Sequence, residues 1–504
     1  MGGHPLRPVR RVMLIFPPMH DIRHVDTMVC PPIGIASLAA FIRDIVEVSL
    51  LDCIVEAPGR RVAVNDRMEL VGLSYEDIIG RIRAQAPDMV GISCVFSSQF
   101  ASVREISRRI KKEVDPDIVI VTGGTHPSFL PEETLSGTDV DYVVLGEGEL
   151  TLRALIEAHN NGGEIGAIDG LAFRTDSGVH VNPRRKWVEN LDDLPWPARD
   201  LLPMEDYFTT RVPMGLHWRR LRNTPIVSSR GCPYRCPFCS SYIHWGKRFR
   251  KRSPENVLAE IEHLRDRYNV QELKWQDDNL TADRQRAKEI FQGMIDRGLA
   301  MPWNTPNGIA LWTLDEDMLR LMKKSGCYEI TLAVESADPV SFKEYVGKPF
   351  TFEKVRQVAA MARRNGMATV AYFIIGFPGE PLHRIENSMQ KALELGVDYL
   401  SPFIFNPLPG SDLWYRCLAE GYISENYTRE GGNNYFQSDV GGKDFTTADL
   451  VKIQSRTYFR NLLCLPFRNP KEFVAWYGRQ FLFNPGFLRT FAIHVFQTLK
   501  GWKH

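Results

Sequence analysis

Three cysteines fall close together in RGCPYRCPFCSS (230–241): Cys232, Cys236 and Cys239. Thiolates grouped in this way are metal ligands, soft enough for zinc or for iron–sulfur. A closed structural zinc site takes four ligands, and His244 is the only nearby side chain to serve as a fourth. Three thiolates on a four-iron cluster instead leave one iron open to an external ligand. The odd count suits a site built to hold something, and zinc stands as the lesser alternative.

Other polar groups recur where apolar runs end. WQDDNLT places Asp277, Asp278 and Asn279 after one run, and LAVES places Glu335 and Ser336 after another. FIIGFPGE (373–380) and NPLPGS (406–411) carry glycines that permit close backbone approach. The plainer reading of Asp277 to Thr281 is a cap on the next helix. HWGKRFRKRS (244–253) is strongly basic; it reads either as a solvated turn or as a contact for an anionic group beside the cysteines.

The elements that must position these groups alternate in type. Over the first ~150 residues, apolar runs at 12–16, 48–53, 89–94, 118–124 and 142–148 alternate with helical patterns, the mark of a parallel sheet wrapped by helices. Several runs lead straight into Gly or Ser, at the carboxyl edge where open α/β sheets bind ligands. No GxGxxG follows the first run, where FPPMHD stands, so a nicotinamide site is excluded. GLAFRTDSGVHVNP predicts a hairpin, and NLDDLPWPARDLLP a Pro-rich connector. From Pro225 a second series of six strand–helix units begins, with Ser253 and Pro254 marking a helix start. Six units are too few for a closed eightfold barrel and suit an open one, with functional residues at the strands' carboxyl ends. The expected α/β architecture is a flavodoxin-like doubly wound sheet (1–165), a linker with a hairpin (166–222), a partial (β/α)6 barrel (223–425) and a mainly helical extension (426–504).

Composition narrows the partners. Lys and Arg total 62 against 61 Asp and Glu, so no global field recruits nucleic acid. The nine cysteines are odd in number and scattered outside the cluster, which reads as reduced thiols and one metal site in the cytosol. Cys327 reads as packed core. No apolar stretch is long enough to span a membrane. Residues 466–504 hold ten aromatics, six Lys or Arg and one acid. That segment reads first as helices capping the second unit, and second as a peripheral contact with a membrane surface.

Cys232-x3-Cys236-x2-Cys239, with Phe238 before the third cysteine and a strand before the first, resembles the signature of the radical S-adenosylmethionine (SAM) superfamily. The resemblance implies a 4Fe–4S cluster on the three cysteines, with SAM chelating the open iron. It implies one-electron cleavage of SAM to a 5′-deoxyadenosyl radical, and so an external reductant of flavodoxin or ferredoxin type. It assigns SAM contacts to Phe238, Asp277, Asp278, Glu335, Ser336, Ile375 and Gly376. A doubly wound domain ahead of such a barrel resembles the cobalamin-binding subfamily, near the fosfomycin-pathway methyltransferase and its neighbours. That implies corrinoid contacts at Ser97, Gly123, Gly124, Thr125, His126, Gly146, Glu147 and Gly148. The DxHxxG motif that gives cobalt a histidine is missing, so cobalamin is expected to bind without one. The implied activity is methylation of an unactivated carbon of a small-molecule or lipid-like substrate through methylcobalamin. A radical cyclase or rearrangement enzyme on the same scaffold is the alternative, and a corrinoid or redox-binding module the non-enzymatic one.

Overall fold

The computed structural model describes residues 6–23, 27–66, 68–210, 217–424, 427, 440 and 442–475. The tail beyond residue 475, read from its sequence as capping helices or a membrane contact, lies outside the described residues.

The first sheet forms where the sequence has its apolar runs. β1 (Arg11–Phe16), β3 (Glu47–Asp52), β6 (Met89–Ser93), β7 (Val119–Gly123) and β8 (Tyr142–Val144) pair in parallel, in the order β8-β7-β6-β1-β3. The interior of β1, Val12 to Ile15, is buried, as a strand covered on both faces requires. The predicted hairpin forms as β9 (Leu171–Thr175) and β10 (Gly178–Val181). It does not bridge to the second unit; it extends the first sheet, with β9 antiparallel to β8. A small antiparallel sheet of β2 (Met19–Ile22), β4 (Arg61–Ala63) and β5 (Met68–Val71) was not legible in the sequence. Its strands are three or four residues long, too short for a period-two pattern to show.

The second sheet has six parallel strands in chain order. They are β11 (Asn223–Ile226), β14 (Glu272–Trp275), β15 (Trp303–Asn304), β16 (Cys327–Glu335), β17 (Ala368–Ile375) and β18 (Tyr399–Ile404). β15 is a two-residue ladder, shorter than its apolar run suggested. The helix Pro254–Tyr268 starts as expected, with Ser253 Oγ accepting the Asn256 amide at 3.2 Å. Cys327 is fully buried in the core.

The connector is packed against both units. The Ala198 amide donates to the Ala36 carbonyl in the first unit at 2.9 Å. One residue on, buried Arg199 reaches Glu260 at 2.7 Å and the Pro225 carbonyl at 3.1 Å in the second. Removing one partner of such a buried pair costs several kcal/mol, because the other charge is left uncompensated.

Candidate active site

The cysteine loop leaves β12 (Ser229–Arg230) and is closed by its antiparallel partner β13 (Arg250–Lys251). Gly231 takes φ +85°, and a Cβ there would collide with the Arg248 carbonyl, so glycine is required at the loop's entrance. Cys236 is buried, and Cys232 and Cys239 are half-buried. The Ser241 amide donates to Cys239 Sγ at 3.4 Å, and Asn279 Nδ2 approaches Cys232 Sγ at 3.9 Å. Burial pushes the Cys236 thiol up to about 11 and Cys239 up to about 12. An electropositive metal group would take these thiols as thiolates and release their protons. Among the described residues, no three His, Cys, Asp or Glu side chains converge on a position for one metal ion. Three thiols on one loop, two of them met by donors from Ser241 and Asn279, are a ligand set that fits a cluster keeping one iron open.

The acidic residues after β14 divide their work. Asp277 is buried and accepts the Ser228 amide at 3.0 Å and the Ser228 hydroxyl at 2.7 Å, together with the Ser229 hydroxyl. Its carboxylate thus organises the strand leading to the cysteines. Asp278 lies beside the loop and accepts from Ser241 Oγ at 2.6 Å. The next helix is capped further on by Asp283, not by Asp277 or Thr281.

Glu335 ends β16 at a register shift, with left-handed φ of +68°. Its carboxylate meets Lys348 at 2.7 Å, and Lys348 also donates to the Ala333 carbonyl at 2.9 Å. The same ammonium lies 5.9 Å from the Phe238 ring, which sets it beside the cysteine loop. Ser336 turns the other way, toward Ser388 at 3.4 Å. At the end of β17, Ile375 is buried and its carbonyl accepts the Phe405 amide at 2.9 Å. Gly376 takes φ +84°, and a Cβ would run into Leu450. Glu380 turns back to accept the Phe377 amide at 3.2 Å, and burial pushes its carboxyl up to about 7.

The carboxyl edge of the first sheet faces this loop. Gly124 (φ +116°) opens the short helix Thr125–Phe129, and a Cβ would collide with the Cys94 carbonyl. Ser97 Oγ lies 3.1 Å from His126 Nδ1, and the buried His126 ring packs on Phe100 at 4.5 Å. Gly123 ends β7 beside Val144. At Gly146 (φ +64°) a Cβ would press on the His244 carbonyl, and at Gly148 on Leu38. Glu147 is buried between Arg250 at 2.7 Å and Arg230 at 3.2 Å, and Glu149 pairs with Arg230 at 2.6 Å. Burial works to raise the Glu149 carboxyl, yet Arg230 holds it below the usual carboxylate range.

Sequence reasoning missed Lys348, which carries no motif, and the partners of Glu147. The basic stretch is largely neutralised by the chain itself: Arg248 meets Glu189, Lys251 meets Asp283, and Arg250 and Arg252 are buried against Glu147 and Glu260. Lys247 and Arg248 remain exposed at its outer turn.

Two α/β units, one ending in a three-cysteine loop and the other turning its ligand edge toward that loop, define a radical SAM enzyme with a corrinoid domain. The B12 binding domain matches residues 19–156, and the Radical SAM superfamily matches residues 226–392. The chain is 32% identical over 454 residues to an uncharacterized methyltransferase of Pyrococcus horikoshii, spanning 89% of this chain and 92% of that protein. It is 32% identical over 453 residues to the cytidylyl-2-hydroxyethylphosphonate methyltransferase of Streptomyces wedmorensis, spanning 84% of each. The solved structure of TsrM, a radical SAM methyltransferase from Kitasatospora setae with cobalamin and an iron–sulfur cluster bound, aligns at a TM-score of 0.65. That alignment has 18% identity and covers 82% of this chain and 75% of TsrM. The chain belongs to the cobalamin-binding radical SAM methyltransferases, whose cofactors are cobalamin, SAM and a 4Fe–4S cluster.

Proposed function

We propose that the enzyme methylates an unactivated carbon of a small molecule held between the two sheet edges. The supporting observation is the join itself. Glu147 and Glu149 of the first unit grip Arg230 and Arg250, which flank the cysteine loop of the second. Ligand edges fixed face to face give the geometry in which one carbon can meet two cofactors.

Cys232, Cys236 and Cys239 would hold the cluster. Phe238, Asp278, Glu335, Ile375 and Gly376 would line the SAM position, with Asp277 and Ser336 supporting the loops from behind. Gly123, Gly124, Thr125, Gly146 and Gly148 would admit the corrinoid. The cysteine donor set fits the cluster, and the glycines leave this edge of the first sheet without side chains where the corrinoid would lie. When bound, cluster and SAM supply a hydrogen-abstracting radical, and cobalamin supplies the methyl group. The chain's own contribution is placement and exclusion of water: Phe238, Tyr345, Phe377 and Phe405 form an aromatic wall beside the cysteines. Ser97 and Phe100 hold His126 in the first unit, and we propose that the cobalt takes no histidine.

The first sheet is read as flavodoxin-like and the second as a partial barrel, over domains 1–165 and 223–425 joined by 166–222, with the extension 426–504. An external one-electron reductant of flavodoxin or ferredoxin type completes the system. With anaerobically reconstituted enzyme and substrate, S-adenosylhomocysteine and 5′-deoxyadenosine should form in about equal amounts. Deoxyadenosine without S-adenosylhomocysteine sinks the methyl-transfer reading and favours cyclisation or rearrangement.

A further inference from the structure

Lys348 belongs to no motif, yet the fold sets it against the cysteine loop. Gly347 takes φ +67° at the end of the turn Phe342–Val346, and the lysine side chain that follows is only 13% exposed. Its ammonium is fixed from three directions: Glu335 at 2.7 Å, the Ala333 carbonyl at 2.9 Å and the Phe238 ring at 5.9 Å. A row of rings ties the same segment to the loop. Phe350 stacks on Trp312 at 6.0 Å, and Trp312 meets Tyr234, between Cys232 and Cys236, at 4.7 Å. A lysine gives up much of its rotamer freedom to be held in this way.

Charge is what this position adds. Three thiolates make a 4Fe–4S cluster a net anion, and one-electron reduction makes it more so; net charge and solvent exposure are among the levers that set its potential. The carboxylates of Glu335 and of Asp278, the latter on Ser241 Oγ at 2.6 Å, oppose an added electron. The loop's own cation, Arg235, is paired with Asp412 at 2.7 Å and is 58% exposed, so solvent screens it. Lys348 is enclosed, and enclosed charges are screened far less. Burial is what most raises the Cys236 thiol; against it Lys348 favours the thiolate, by more than Glu335 opposes it. The ammonium is thus the end of the ion pair that acts on the sulfur.

We propose that Lys348 raises the reduction potential of the cluster on Cys232, Cys236 and Cys239. The step it favours is the arrival of one electron from the flavodoxin- or ferredoxin-type donor, which is itself oxidised by one electron; no bond forms or breaks and no proton moves. The inference rests on the three cysteines as cluster ligands and not on methyl transfer.

The test is a potentiometric titration of the anaerobically reconstituted full chain, without SAM or substrate, read by the electron paramagnetic resonance signal of the reduced cluster. K348M should shift the equilibrium about tenfold toward the oxidised cluster, a fall of about 59 mV for one electron. That is the order expected of a unit charge roughly 10 Å away at an effective dielectric constant of about 20. K348R keeps the charge and should stay near the wild type. E335Q removes the opposing carboxylate and should move the potential upward. Opposite signs separate an electrostatic role from a structural one, because both K348M and E335Q break the same ion pair. Iron and sulfide content confirm loading, and if K348M loads no cluster, E335Q and K348R decide. The proposal is overturned if K348M leaves the potential unmoved, if E335Q lowers it or leaves it in place, or if K348R falls as far as K348M. A C232A/C236A/C239A variant that still loads the cluster would overturn the ligand reading instead.

Discussion

Glu335 shows how much of a site can hide behind a legible motif. LAVES marked a carboxylate at a strand end, but nothing in five letters says that the residue takes φ +68° at a bulge. That conformation costs about 1–2 kcal/mol for a residue with a Cβ. It persists where the surroundings over-determine it, which is common at functional sites. Lys348 is part of what holds it, and a lone lysine thirteen positions later has no spacing signature to give it away. The cysteines are the opposite case, since their chemistry is carried by identity and gap alone. If Glu335 meets SAM, E335Q should retain the cluster spectrum of the reconstituted enzyme. The SAM concentration needed to perturb that spectrum should rise tenfold or more. An unchanged titration would remove Glu335 from the SAM site.

Glu380 makes a pH-dependent prediction at the same scale. Its folded carboxyl, raised from 4.5 to about 7 by burial, binds more protons than the unfolded chain between those values. Stability contributed by this group is therefore full below about pH 4.5 and is lost as pH rises toward 7, by up to about 3 kcal/mol. E380Q keeps an acceptor for the Phe377 amide and carries no charge. The variant should gain on the wild type in melting temperature as pH climbs through this window. A constant difference from pH 4.5 to 7 would show that Glu380 does not titrate there.

At the scale of elements, the strands of both sheets were legible because buried parallel strands are written as continuous apolar runs. The small antiparallel sheet and the two-residue β15 were not, since tertiary neighbours decide such short ladders. The helix Thr447–Arg468 illustrates another limit. Its position over β17 and β18 depends on Leu450 finding the gap left by Gly376, a contact between residues with no sequence relation. Gly376→Ala combines a left-handed backbone with a clash and should destabilise by about 1–3 kcal/mol. Leu450→Ala alone removes a buried side chain, at about 2–5 kcal/mol. Because each change relieves the other's steric fault, the double variant should lose clearly less than the sum. Denaturant midpoints of the four proteins measure this, and strict additivity would mean that the two sites do not touch.

For the whole molecule, the decisive feature is how the units face one another. The sequence supplied two ligand-binding edges and a connector. It could not supply the buried grip of Glu147 and Glu149 on Arg230 and Arg250, because ion pairs between residues some eighty to a hundred positions apart leave no local pattern. Glu147 was legible as a functional position in LGEGE, yet the structure places it at the joint between units. That joint brings the carboxyl edge of the first sheet and the cysteine loop to one place, as the proposed methyl transfer to a substrate carbon requires. The most direct measurement uses SAM carrying a trideuterated methyl group, with product analysed by mass spectrometry after turnover. The account predicts a product heavier than substrate by one methyl unit with all three deuterons retained. A turned-over product without the label, formed alongside 5′-deoxyadenosine, would contradict it.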